Sequence, residues 1–144
     1  MRRIAFKRIT RWKKKPPKAR SRVVSISKLI KTADALFSAS VRQLGANKEG
    51  LNQCYTCKRW FSIKKLHCGH FLSRYYKTAR WDKDNARPQC MMCNLWKKGD
   101  TVNFRINLVN EIGVERVEIV EAKRNVSIKL SREYLEDLIE NLKQ

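Results

Sequence analysis

Acidic side chains are nearly missing from the first two-thirds of this chain of 144 residues. Residues 1–99 hold 4 Asp and Glu against 26 Lys and Arg, whereas residues 100–144 hold 9 against 7. The net charge of +20 is therefore the balance of a +22 segment and a −2 segment. A charge this lopsided attracts phosphates through counterion release, so nucleic acid is the first partner it implies. An acidic membrane surface fits less well, because no long amphipathic helix joins the Lys/Arg run to an apolar face. Long apolar runs are missing too, which excludes a membrane-spanning helix. The basic N-terminus is not followed by an apolar stretch, which argues against a secretory signal and leads to an expectation of the host cell's cytoplasm, where thiols stay reduced. Histidine is the scarcest functional residue: His67 and His70 are the only two, and both fall in LHCGHFLSR, residues 66–74. They could complete a zinc site, pack in the core, or form the working end of an enzyme.

The length suits one domain with an appended tail. Residues 1–24 read as a flexible basic arm, since residues 1–22 carry 11 Lys or Arg and no acid, and Pro16 and Pro17 forbid a continuous helix. Arg2, Arg3, Lys13, Lys14 and Lys15 of this arm are candidate DNA-binding residues, with Lys97 and Lys98 further on. Residues 25–49 hold an N-terminal helix: Ile26, Leu29, Ile30, Ala33, Phe37, Val41 and Leu44 recur at helical spacing, Ser25 is placed to cap it and Gly45 to stop it. Residues 50–99 contain short strand-like stretches (RWF, KLHCGHFL, RPQC) and then a helix-compatible MMCNLWKKG. Residues 100–144 read as helical: one helix capped by Asp100 or Thr101 and stopped by Gly113, a weaker one over 114–123, and a last one capped by Ser131.

Four of the five cysteines are paired as Cys54-x-x-Cys57 and Cys90-x-x-Cys93. Two-residue spacing lets both thiolates of a knuckle reach one metal, and two knuckles complete a tetrahedron, so a structural Zn²⁺ is expected. No βαβ pattern surrounds either pair, which argues against a thioredoxin-like redox role. The intervening residues are short and polar and need such a staple to fold. Knuckle, hairpin, and a helix starting at the second pair give the expected fold: α+β, a zinc-stapled treble-clef finger flanked by helices. Cys68 is left as a small, half-buried residue.

With the zinc site closed by cysteine, the histidines are spare. Phosphodiester hydrolysis needs a base for water, a divalent cation for the departing oxygen, and cations to hold the phosphate. A neutral imidazole suits the base and an Asn oxygen suits a hard cation. A strand end bearing His70 opposite the first turn of a helix bearing Asn94 is the ββα-metal, or HNH (His-Me), nuclease arrangement.

The run KKLHCGHFLSRYYKTARWDKDNARPQCMMCNLWKKGD resembles the phage NinG/Rap family of recombination endonucleases, in its G-H-F-x-x-R, R-W-D-x-x-N-x-x-P-Q-C and C-N-x-x-K-x-G segments. The resemblance implies a metal-dependent endonuclease acting on branched DNA such as Holliday junctions and D-loops. It assigns His70 as general base, Asn94 as a ligand of catalytic Mg²⁺ or Mn²⁺, Asn85 as the brace of the loop that orients His70, and Arg74 as the phosphate clamp. His67 stands where relatives carry Asp as a metal ligand, and imidazole shifts the preference toward softer cations. Two symmetric cuts imply a homodimer. The competing expectations are a zinc finger that binds nucleic acid without catalysis, and an interaction protein that dimerises through its C-terminal helices.

Overall fold

The computed structural model describes residues 23–144. Arg2, Arg3, Lys13, Lys14 and Lys15, and with them nearly all of the expected arm, lie outside the described residues. Among those described, helix α1 (Ile26–Gln43) comes first, with the Ser25 hydroxyl accepting from the Lys28 amide. Its Leu29, Ala33, Phe37 and Val41 are buried at the expected spacing. Strands β1 (Leu51–Gln53) and β2 (Trp60–Ser62) form one antiparallel hairpin, and β3 (Leu66–His70) and β4 (Ala86–Cys90) form a second. A short helical segment, Met92–Trp96, follows β4, and then come α2 (Thr101–Ile112), α3 (Val114–Ala122) and α4 (Arg132–Lys143). Asp100 precedes α2 in a left-handed conformation and makes no side-chain cap to the backbone; its carboxylate accepts from the Asn103 side chain instead. Ser131 caps α4 as expected, accepting from the Tyr134 amide. No helix among the described residues is long and apolar enough to cross a membrane.

The β3–β4 hairpin is the hub, and four apolar clusters surround it among the described residues, one of them Leu72 and Ala79 packed with Val120 of α3. Helices α1 and α4 close over it with Leu29, Ala33, Phe37, Val41, Leu135 and Ile139 packed on Trp81 and Ala86. The apolar face of α4, a candidate dimer face by sequence, is thus occupied within the chain. On another side Phe104 and Leu108 of α2 and Val117 of α3 pack with Tyr55 and Phe71. Under the knuckles, Leu66 and Phe61 are, among the described residues, the only non-cysteine members of a cluster otherwise made of Cys54, Cys57, Cys90 and Cys93.

The hairpin register sets what each side chain faces. His67 pairs with Gln89, Gly69 with Arg87 and His70 with Ala86. Because side chains alternate along a strand, His67 and His70 emerge on opposite faces. Pro88 is tolerated inside β4 because its carbonyl accepts from Tyr55, away from β3, so its missing N–H costs no bond in the hairpin. Gly69 is required for space, not for backbone conformation: a Cβ there would collide with the side chain of Gln89, which crosses it fully buried and donates to the Gly99 carbonyl at 2.8 Å. Gly69→Ala is expected to lower stability by about 1–3 kcal/mol, the usual cost of overpacking, measured by denaturant unfolding.

Candidate functional site

The two cysteine pairs meet as their spacing implies. Cys54 and Cys57 lie in the tight turn between β1 and β2, where Lys58 takes a left-handed conformation. Cys90 ends β4 and Cys93 lies in the short helix after it. All four Sγ atoms fall within 4.8 Å of one another, and Cys57 and Cys90 are 3.9 Å apart. A zinc tetrahedron with bonds of about 2.3 Å separates its sulfurs by about 3.8 Å. The Cys90 amide also donates to the Cys54 sulfur at 3.3 Å, a bond that favours the thiolate. The donor set and spacing therefore fit a structural zinc. Cys68 stands apart as expected: it is half-buried on the α1 side, and burial pushes its thiol up to about 12.

Beside this cluster a cleft of about 750 Å³ opens between α1, β3 and the short helix. Its lining includes His67, His70, Arg74, Asn94 and Lys98 from the sequence-level candidates, and adds Arg42 and Lys64. Lys97 is exposed and outside this lining. Asp34 is the one carboxylate on the wall, and it is already engaged: it accepts from Arg80 at 2.6 and 2.9 Å and from the Trp81 indole at 3.0 Å. The cleft is therefore strongly cationic.

His67 and Asn94 come together across the gap between β3 and the short helix, with the Asn94 amide nitrogen 3.2 Å from His67 Nδ1. His70 is held differently. Its Nε2 lies 3.1 Å from the Arg80 carbonyl and its Nδ1 3.2 Å from the Cys68 carbonyl, with Phe37 alongside. A neutral imidazole has one N–H, so only one of these carbonyls receives a proton; the other nitrogen is a base aimed at an acceptor. Burial holds His70 below its ordinary value, opposed by the Arg80 carbonyl and reinforced by the Arg74 charge.

The sign of the consequence follows from linkage. The unfolded chain regains the ordinary value of about 6.5 and so takes up the proton first as pH falls. The His70 contribution to stability is complete above that value and is lost as pH drops toward the lowered one. Urea unfolding is expected to give lower stability near pH 5.5 than near 7.5, about one pH unit either side of the ordinary value. The difference should shrink in His70→Leu; an unchanged difference would sink the assignment.

The segment from Phe71 to Asn85 is fastened at both ends. Asn85, fully buried, donates to the Leu72 and Ala79 carbonyls at 3.0 and 2.8 Å and accepts from the Leu72 amide at 2.7 Å. Arg80, beyond gripping Asp34, donates to the Arg74 carbonyl at 3.1 Å, and its own carbonyl is the one facing His70. Asp34 carries no motif in the sequence, and Arg80 only opens the R-W-D-x-x-N-x-x-P-Q-C segment without a role. A signal was present, because Asp34 is the only acid in residues 1–48.

Fold and site together define an α+β protein with small sheets, a four-cysteine cluster able to hold a metal, and a cationic cleft beside it. The chain belongs to the family described as Bacteriophage Lambda NinG protein, whose family model matches residues 2–144. Relatives called Protein ninG are similar over shorter stretches. That of Escherichia phage 933W is 34% identical over 71 residues, covering 42% of this chain and 35% of the relative. That of Enterobacteria phage H19B is 41% identical over 46 residues, covering 32% and 23%. That of Escherichia phage lambda is 31% identical over 71 residues, covering 42% and 35%. The matched stretch thus spans about a third or less of these relatives' own length. No solved structure matches.

Proposed function

We propose that the chain is a metal-dependent DNA endonuclease of the HNH, treble-clef type, hydrolysing phosphodiesters in branched recombination intermediates such as Holliday junctions and D-loops. The observation that carries this reading is the 3.2 Å approach of His67 and Asn94 inside a cleft walled by Arg42, Lys64, Arg74 and Lys98. As it stands the contact is a hydrogen bond from the Asn94 amide nitrogen to His67 Nδ1; turning the Asn94 amide over would put its oxygen there, close to the about 3 Å that separates adjacent ligands at about 2.1 Å on one octahedral cation. Both donors are uncharged, and Asp34 is spent on Arg80 and Trp81. The fit is therefore to a cation that accepts imidazole, Mn²⁺ ahead of Mg²⁺, with DNA phosphate supplying the negative charge. When bound, that cation would stabilise the departing 3′-oxygen.

The remaining work falls to the chain itself. Arg42, Arg74 and Lys98 hold the phosphate. Asn85 keeps the 71–85 loop closed, and the Asp34–Arg80 pair fixes the carbonyl that orients the His70 ring. His70 takes the proton from water once its basic nitrogen turns from the carbonyl it faces; catalytic bonds are often misaligned before substrate arrives. A groove holding Arg74, Tyr75, Lys77 and Arg124 continues from the cleft, sharing Arg74, and extends the phosphate path. The preference for branched DNA follows from the sequence resemblance. Symmetric cutting of a junction calls for a homodimer, formed through a surface other than the α1–α4 contact. The site of action is the cytoplasm of the host cell.

The test is a nicking assay on linear, flapped and four-way DNA across a metal series, comparing wild type with His70→Ala. Intact junctions under every metal, with His70→Ala binding them equally well, would defeat the reading. One observation favours binding without catalysis: both His70 nitrogens face carbonyls. That outcome would appear as tight, zinc-dependent DNA binding with no nicks.

A further inference from the structure

A second, smaller cleft of about 400 Å³ adjoins the first and shares His67 with it. Its apolar lining is Phe61, Met91 and Met92, and its charged lining is Arg59 and Lys65. The two methionines occupy the two positions between Cys90 and Cys93, and they are 53% and 48% exposed. They cannot be explained as core, and the cysteine cluster does not need them. The Arg59 guanidinium stands 5.8 Å over the Phe61 ring.

We infer that this cleft receives an unpaired nucleobase of the DNA strand whose phosphate lies at His67 and Asn94. Three features select a base over other apolar occupants. The floor offers an aromatic ring and two polarizable thioethers, which suit a flat π-face of any base identity. The rim carries two cations and no acid, matching the phosphates on either side of such a base. The shared wall at His67 puts the base next to the phosphate, as one strand running through both clefts requires. In a fully stacked duplex the base is not available, so the cleft gives the chain its own means of preferring DNA with an unpaired strand, such as a flap. The inference rests on the reading of the first cleft as a phosphodiester site.

The test measures binding without added divalent cation, so it does not depend on cleavage. Wild type and the double variant Met91→Ser/Met92→Ser are titrated with fully paired duplex and with a flapped duplex, after zinc content and circular dichroism show the variant is folded. The expected result is a loss of about tenfold in affinity for flapped DNA, in the range of one stacked base, with duplex affinity unchanged. In parallel, 2-aminopurine at the unpaired position should change fluorescence on binding wild type, and should not when placed opposite thymine. This second measurement decides the matter should the variant fail to fold. Equal losses on both DNAs, no loss, or no fluorescence response would overturn the inference. So would a wild-type dimer that dissociates in the double variant, since a second copy would then be the occupant. Absence of nicking in any metal would sink the endonuclease reading while leaving the flapped-DNA difference standing.

Discussion

Stripping the metal from Cys54, Cys57, Cys90 and Cys93 is expected to unfold the finger outright, the largest single effect in this molecule. Zinc held by four thiolates contributes about 10–16 kcal/mol to folding in small fingers. A whole domain is stable by only about 5–15 kcal/mol. The local packing cannot compensate, because among the described residues the cluster beneath the knuckles has only Leu66 and Phe61 besides the cysteines. The β3–β4 hairpin carries His67 and His70 and ends at Cys90, so the cleft is lost with the metal. Cys54→Ser should copurify with little zinc by elemental analysis, show early exchange of β3 and β4 amides, and bind DNA weakly. Helices α1 and α4 pack on Trp81 and Ala86 and should keep part of the helical dichroism. A chelated protein with unchanged hydrogen exchange would show that the cysteines are not a structural staple.

The second large effect concerns the pair in the cleft. His70→Ala is expected to reduce nicking by about 10²–10⁴-fold, the usual contribution of a positioned base, while junction binding changes little. His67 offers a sharper comparison. His67→Ala should reduce nicking in every metal, whereas His67→Asp should restore it and move the preference from Mn²⁺ toward Mg²⁺, because a carboxylate is the harder ligand. It would also bring a negative charge into a cleft whose only acid, Asp34, is tied to Arg80. Loss of activity in His67→Asp with the metal preference unmoved would remove His67 from the cation site. A stability loss alone cannot mimic this pattern, since it would not exchange one metal for another.

The His67–Asn94 contact and the cysteine cluster differ in how far sequence reaches them. Cys-x-x-Cys twice over is a local pattern whose geometry is set by two intervening residues, so the four-cysteine cluster was legible before any fold was known. Helix α1 and the capping of α4 by Ser131 were legible for the same reason: periodicity and capping are local. The segment R-W-D-x-x-N-x-x-P-Q-C could be matched but not explained. Its physical content is long-range: Arg80 and Trp81 grip Asp34 on α1, Asn85 ties together Leu72 and Ala79, and Gln89 lies over Gly69.

Sequence alone determined the charge division, the four cysteines of the candidate metal cluster, the helices and most of the strands, though not β1, and the family resemblance. Each depends on residue type and short spacing. Tertiary structure decided the rest. Alternation along β3 already puts His67 and His70 on opposite faces of the strand, and the packing of α1 and the short helix beside it brings both onto the wall of one cleft in different surroundings. The packing of α1 against the β3–β4 hairpin brought Arg42 into the cleft and left His70 half-buried between two carbonyls. The turn after Cys90 left Met91 and Met92 facing outward beside His67. These arrangements join residues far apart in the chain, and only the folded backbone fixes the distances between them.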